Sequence, residues 1–170
     1  VKLNENILEG MSISIGEQLD QIRSEMFELI GHEFNLNSPK QLSELLFTEL
    51  NLPPTRKTKS GHSTDAQALE DLKNILDKGN SENADPRSYE VLNRILEHRE
   101  LAKIKSTYID ALPSMVNKST GRVHTSYRQT GTATGRISSN DPNVQNIPVR
   151  TELGRKVREA FVTENPAENE

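Results

Sequence analysis

The stretch "TATGRISSNDPNVQNIPVRTELGRKVREAF", residues 132–161, restricts the fold more than any other part of the chain. It is crowded with Thr, Ser, Asn, Gln, Gly and Arg, and it has almost no apolar run before Ala160, Phe161 and Val162. A chain rarely concentrates so many hydrogen-bonding side chains unless they meet a polar partner. We therefore predict loops or short irregular strands over 131–148, with a turn at Asn140-Asp141-Pro142.

The sequence before this stretch has a helical pattern up to about residue 115. Apolar residues recur three and four positions apart, and Ser14 with Glu17 and Ser38 with Gln41 fit the capping box that opens many helices. Pro39 suits a first helical position, and Gly31 suits a helix end. We predict helices near 14–31, 38–50, 64–78 and 86–111.

The apolar spacing changes after residue 115. The segment "GRVHTSYRQT" alternates and is rich in β-branched and aromatic residues, which predicts a strand near 122–128. The segment "KVREAFV" is a second candidate, near 156–162. The predicted fold class is therefore α+β: a mainly helical, elongated part followed by short antiparallel strands.

Composition narrows the class of protein. The hydrophobic fraction is 32%, the aromatic fraction 4% and the mean hydropathy −0.71, so we expect a thin core or a piece of something larger. There is no Cys, which excludes disulfide and thiolate chemistry within this chain. No apolar run reaches the roughly 20 residues that cross a bilayer. We expect a protein of the cytoplasm with no membrane partner.

The basic residues are unevenly distributed. Residues 94–158 contain 12 Lys and Arg against 5 Asp and Glu, although the whole chain has a net charge of −4. A basic segment in an acidic protein is typical of an oriented site for a polyanion. The alternative is that these charges only balance acidic neighbours in the fold, and charge alone does not decide between the two.

The sequence contains no recognisable catalytic motif. It has no phosphate-binding GxxxxGK[ST] loop, no HExxH and no Cys/His metal set. The four histidines are widely spaced, and no close pair of carboxylates lies on a strand where two metal ions could be held. We expect no catalytic residue and no metal site in this chain.

Nucleic-acid binding fits the polar stretch better. Arg136, Ser138, Ser139, Asn143, Gln145 and Asn146 offer donors and acceptors for phosphates or base edges. Arg136 is the best candidate, because a guanidinium donates several bonds and the minor groove presents acceptors on every base pair. The alternative is that these residues stabilise an irregular loop through side chain to backbone bonds, which we favour for the Ser and Thr residues.

The quoted stretch resembles the first signature segment of family A DNA polymerases, the bacterial DNA polymerase I type. Three upstream segments resemble the same family in the same order: "FNLNSPKQLSELLF", "STDAQAL" and "LAKIKSTYIDALPSMVNKSTGRVHTSY". The resemblance runs from about Ile7 to Val162, nearly the whole chain.

The resemblance implies a division of the chain and a set of DNA contacts. Residues 1–115 would be the helical thumb subdomain, which holds the primer–template duplex, and 116–170 the first, incomplete part of the palm. The basic loop 55–62 would be the thumb tip, and Arg136 would reach the minor groove at the primer terminus. The residues that it implies in DNA binding are Arg136, Asn143, Gln145, Asn146, Lys103, Lys105, Ser106, Thr132, Thr134, Arg56, Lys57 and Lys59.

The resemblance also implies an activity for a larger parent enzyme. That enzyme would be a DNA-directed DNA polymerase, a nucleotidyltransferase of DNA replication and repair. It would hold two Mg²⁺ ions on aspartates that follow this sequence and bind deoxynucleotide triphosphates. The chain itself would bind no metal, would be inactive and monomeric, and would work at the bacterial nucleoid. The alternative is a stand-alone, non-catalytic module that binds duplex DNA or docks on another protein.

Overall fold

A computed structural model describes residues 1–59, 61–140 and 142–162, and Asp141 of the predicted turn lies outside these ranges, as does the end of the predicted palm segment. The α-helices are α1 Glu5–Ile30, α2 Pro39–Ser43, α3 Ala66–Asp77, α4 Ser88–Ile104 and α5 Glu152–Glu159. Two π-helical turns, Glu44–Glu49 and Lys105–Ile109, follow α2 and α4, and 3₁₀ turns lie at Leu112–Met115 and Val144–Asn146.

The strands are all short. They are β1 Lys2–Leu3, β2 Lys57–Thr58, β3 Gly61–His62, β4 Val116–Asn117, β5 Arg122–Val123, β6 Ser126–Arg128, β7 Ser138–Asn140 and β8 Phe161–Val162. They form a four-stranded antiparallel sheet in the order β4-β5-β1-β8 and two separate hairpins, β2-β3 and β6-β7. The predicted α+β class is confirmed.

Contacts between residues divide the chain into two compact units. One contains residues 18–100, and the other contains residues 1–17 together with those from 101 onward. The 3₁₀ turn that follows α4 ends at Met115, and strand β4 begins at Val116. The division into a thumb and a palm at that point stays a prediction.

The unit of residues 18–100 packs helices around an aliphatic core. Its fully buried side chains include Met26, Leu42, Leu45, Leu46, Leu69, Leu72, Leu92 and Ile95. Ser38 begins α2 as predicted, with its side chain accepting a hydrogen bond from the Gln41 amide at 3.3 Å. At the predicted start of α3 the cap is Asp65, which accepts from the Ala68 amide at 2.7 Å.

An ion pair fixes three chain segments of this unit. Arg87 donates two side-chain hydrogen bonds to Asp85, at 3.0 and 2.9 Å, and a third to the carbonyl of Leu29 at 2.9 Å. The Asp85 amide donates to the carbonyl of Leu50 at 3.0 Å. These bonds from Arg87 lower the pKa of Asp85 to about 2, so the pair stays charged. The end of α1, the end of the first π turn and the start of α4 are thereby joined.

The unit that contains both termini of the described chain is built on the four-stranded sheet. Strand β1 lies between β5 and β8, with Lys2 opposite both Arg122 and Val162. The hairpin β6-β7 pairs Tyr127 with Ser139. The predicted strand 122–128 is therefore two strands with different partners. Between them lies Thr125, whose side chain donates to the carbonyl of Asn140, the last residue of β7, and to that of Pro142.

Two predicted elements are wrong in part. Helix α1 begins at Glu5 and not near Ser14, because Leu8 and Ile15 continue the buried stripe of Ile22 at intervals of two turns. The strand predicted over 156–162 is α5 up to Glu159, and only β8 is extended. Thr151 caps this helix by accepting from the Gly154 amide at 3.0 Å, and Val157 and Ala160 are buried at helical spacing.

Helix α5 packs very closely on the preceding segment. A Cβ atom added to Gly154 would lie 2.0 Å from the carbonyl oxygen of Pro148. We predict that Gly154→Ala lowers the free energy of unfolding by about 2 kcal/mol or more, because the clash is with backbone that cannot move aside. Chemical denaturation measures this change.

Gly10 provides the matched control. It is exposed in α1, and a Cβ atom there would meet nothing within 4 Å. Gly10→Ala should therefore stabilise the chain by about 0.5–1 kcal/mol through helix propensity. Equal effects of the two substitutions would contradict the close packing at Gly154.

His32 links two chain segments just beyond α1. Its Nε2 lies 2.9 Å from the carboxylate of Glu49, and its Nδ1 lies 3.1 Å from the carbonyl oxygen of Glu33. The hydrogen bond with Glu49, followed by that with Glu33, raises the pKa of His32 above 6.5. The stabilisation from this contact is therefore complete below pH 6.5 and is lost as pH rises through the folded-state value.

We predict that His32→Gln destabilises the chain more at about pH 5.5 than at about pH 8.5, because only protonated His32 pairs with the Glu49 charge. Denaturation midpoints of the variant and the wild type at both pH values measure the difference. Glu49→Gln should remove the same pH-dependent part, and a loss that does not vary with pH would count against the pair.

Candidate nucleic-acid interface

Arg136 lies in the loop that joins β6 to β7. The Thr132 side chain donates to the carbonyl of Arg136 at 2.7 Å, and Gly135 has a φ of +72°, which a glycine adopts without strain. This closed turn fixes the backbone of Arg136 while its side chain is exposed. The guanidinium has no hydrogen bond or ion pair with any residue that the structure describes. Thr134 is exposed in the same turn.

The segment after β7 is fixed by its own polar side chains. The Asn143 side-chain oxygen accepts from the Gln145 amide at 3.1 Å and from the Ser139 hydroxyl at 3.2 Å. Thr125 donates to the carbonyls of Asn140, at 3.1 Å, and of Pro142. The Asn143 side-chain oxygen and the Ser139 hydroxyl therefore stabilise the loop through hydrogen bonds within the protein.

Gln145 and Asn146 differ from Asn143. Both are exposed, and their side-chain amides bond to no residue in the described ranges. The backbone that carries them is the 3₁₀ turn that Asn143 caps. Two amide groups, each able to donate and accept, are therefore presented to solvent from a fixed turn.

Two residues that sequence reasoning did not assign to the site support this turn. Tyr108 donates its hydroxyl to the carbonyl of Asn146 at 2.8 Å, and Arg158 donates to the carbonyl of Ile147 at 3.0 Å. A buried tyrosine hydroxyl needs a partner, so the apolar pattern around Tyr108 signals such a bond without naming the acceptor.

The predicted cations near the end of α4 are not equivalent. Lys105 pairs with Asp110 at 2.6 Å, and Asp110 also accepts from the Ser12 hydroxyl at 2.7 Å. Partial burial opposes ionisation of Asp110, but these hydrogen bonds outweigh it and hold the pKa of the carboxyl below its usual value. The Lys103 side chain is exposed and has no hydrogen bond or ion pair with a described residue. The Ser106 hydroxyl donates to the Lys103 carbonyl at 3.4 Å.

The remaining predicted residues belong to the other compact unit. Lys57 and Lys59 are exposed on the β2-β3 hairpin, and neither side chain has a hydrogen bond or ion pair with a residue in the described part of the chain. Arg56 precedes the hairpin and lies 4.0 Å from Asp71. The structure thus brings Lys103–Ser106, Arg136 and Asn143–Asn146 into one unit and places the hairpin cations in the unit of residues 18–100.

The described residues contain neither a cluster of metal-ligating side chains nor a membrane-spanning helix. Residues 1–59, 61–140 and 142–162 contain no group of three or more His, Asp or Glu side chains that could hold a metal ion. Within the same ranges, no helix is both long and apolar enough to cross a membrane.

Known proteins resemble this chain over nearly its whole length. The model of DNA polymerase family A matches residues 5–169. Thermostable DNA polymerase I from Thermus caldophilus is 48% identical over 96% of this chain, and DNA polymerase I from Geobacillus stearothermophilus is 45% identical over 98%. The chain spans 18% of the length of each of these relatives.

A solved structure agrees with these sequences. The POL domain of Pol1 from M. smegmatis, in complex with DNA primer-template and dNTP, superposes with a TM-score of 0.77 at 40% identity. The match covers 95% of this chain and 26% of that one. The resemblance of the quoted segments is confirmed, and the chain belongs to DNA polymerase family A.

Proposed function

We propose that this chain holds primer–template duplex DNA as part of a family A DNA polymerase that adds deoxynucleotides to a primer 3′ end. The observation that carries the proposal is the exposed guanidinium of Arg136, which has no partner among the described residues, on a turn whose backbone is fixed by Thr132. Family membership and the M. smegmatis relative, which binds primer–template and dNTP, support it.

The chemistry of Arg136 suits the minor groove of any sequence. Purine N3 and pyrimidine O2 are acceptors on every base pair, and a guanidinium presents several donors in a fixed geometry. Such a contact tests the shape of a base pair without selecting its identity. Gln145 and Asn146 add amide donors and acceptors on the neighbouring fixed turn, while Lys103, Lys57 and Lys59 suit phosphate contacts.

In this proposal, DNA binding belongs to this chain and nucleotide transfer belongs to the whole protein. The residues described here bind and orient DNA, with 1–115 acting as the thumb and 116–170 as the start of the palm. The transfer of the nucleotide belongs to the whole protein, where the family resemblance assigns two Mg²⁺ ions to aspartates that are absent from this sequence. The choice of Mg²⁺, the monomeric state and the site of action at the nucleoid in the cytoplasm stay predictions.

We predict that Arg136→Ala weakens binding of a labelled primer–template duplex about tenfold, because a multidentate contact with groove acceptors is lost. Fluorescence anisotropy across a salt series measures the affinity. Arg23→Ala is the matched control, since Arg23 pairs with Asp20 at 2.6 Å and its loss should leave the affinity unchanged. Equal affinities of Arg136→Ala and wild type would remove the support for the proposal.

We further predict different salt dependences for two neighbouring lysines. Lys103→Ala should reduce the slope of log K against log salt by about 1, as expected for one lost phosphate contact. Lys105→Ala should change it less, because the charge of Lys105 is already balanced by Asp110.

Asp110→Asn gives the complementary variant for this prediction. It releases Lys105 from its ion pair and should make the slope steeper than in the wild type. The same anisotropy titrations measure all three variants. Equal losses in Lys103→Ala and Lys105→Ala would show that the ion pair does not set the difference.

A further inference from the structure

We propose that Tyr108 is a positioning residue, which holds the turn carrying Gln145 and Asn146 in the arrangement that contacts DNA. The inference rests on the proposed function. The bond that carries it joins the Tyr108 hydroxyl to the backbone carbonyl of Asn146 at 2.8 Å.

The direction of this hydrogen bond is fixed by its chemistry. A carbonyl oxygen has no proton, so the tyrosine hydroxyl must donate. The Tyr108 side chain is only 7% exposed, and burial raises the pKa of its hydroxyl, which keeps the donor proton in place. The donor proton of this contact is therefore retained at neutral pH.

The turn needs this attachment because it is too short to hold itself. It has three residues, Val144–Asn146, and the last carbonyls of a helical turn have no partner within it. Asn143 fixes its beginning through the Gln145 amide. Its end is fixed from outside, by Tyr108 on Asn146 and by Arg158 on Ile147. Removing the Tyr108 bond leaves the bond from Arg158 to Ile147 as the side-chain hydrogen bond at that end, among the described residues.

Tyr108 also connects two groups of predicted contacts. It lies in the π turn Lys105–Ile109, two residues after Ser106 and close behind Lys103 on the same continuous helical stretch. The exposed side of that stretch carries Lys103, and its buried side carries Tyr108. The same helical stretch therefore carries an exposed cation and the hydroxyl that holds the turn of Gln145 and Asn146.

A double-mutant cycle tests the coupling. Tyr108→Phe removes the hydroxyl and keeps the ring, and it should weaken binding of the labelled primer–template about threefold to tenfold. In a Gln145→Ala/Asn146→Ala background the same change should have almost no further effect, because the side chains that Tyr108 positions are gone. Tyr89→Phe, at a tyrosine that is 43% exposed, is the matched control and should leave binding unchanged. A full loss in both backgrounds would overturn the inference.

Amide hydrogen exchange gives a readout that does not depend on DNA. The Gln145 amide donates to Asn143, so it should be protected in the wild type and should exchange several-fold faster in Tyr108→Phe. Amides of α3, in the other unit, should be unaffected. Unchanged exchange at Gln145 would overturn the inference whatever the DNA result. Faster exchange without any wild-type DNA binding would overturn the proposed function, and with it the DNA-contacting part of the inference.

Discussion

The backbone carbonyls of the segment from Asn140 to Pro148 need hydrogen-bond donors, and this constraint shapes the unit that contains residues 1–17 and 101 onward. Among the described residues of this segment, regular structure is limited to the end of β7 and the turn Val144–Asn146, and an unpaired buried carbonyl is costly. Side chains from three other elements supply the missing donors: Thr125 between β5 and β6, Tyr108 after α4, and Arg158 on α5. The packing of α5 through Gly154 keeps one of these donors in place.

This constraint separates the polar residues into two classes. Ser139, Thr132 and the oxygen of Asn143 are used within the protein, because they complete the bonding of an irregular backbone. The side chains of Arg136 and Lys103 are not needed for that purpose and have no hydrogen bond or ion pair with a described residue. The high density of polar side chains therefore has two causes here, and only the structure shows which residue belongs to which class.

Local signals in the sequence predicted several helix ends well, but the start of α1 and the short elements poorly. Ser38 and Gly31 affect only residues within one helical turn of themselves. The start of α2 and the end of α1 could therefore be predicted from the local sequence. Helix α5 has only eight residues, too few for a helical apolar period to be distinguished from the alternation of a strand. The signal for a helix is Thr151, whose side chain caps its first turn. The pairing of β6 with β7 joins residues about ten positions apart through a polar loop with no apolar pattern to fix it.

The ion pair of Lys105 with Asp110 could not be predicted from the sequence. On an α-helix, neighbours on one side are three and four residues apart, so a lysine and an aspartate five apart are not expected to meet. Here the helix widens, and the Asp110 amide bonds to the Lys105 carbonyl at 2.8 Å, five residues back. That turn brings the two side chains together at 2.6 Å and also sets Tyr108 on the buried side. One local change in helical geometry thus pairs Lys105 with an aspartate and places the hydroxyl that bonds the carbonyl of Asn146.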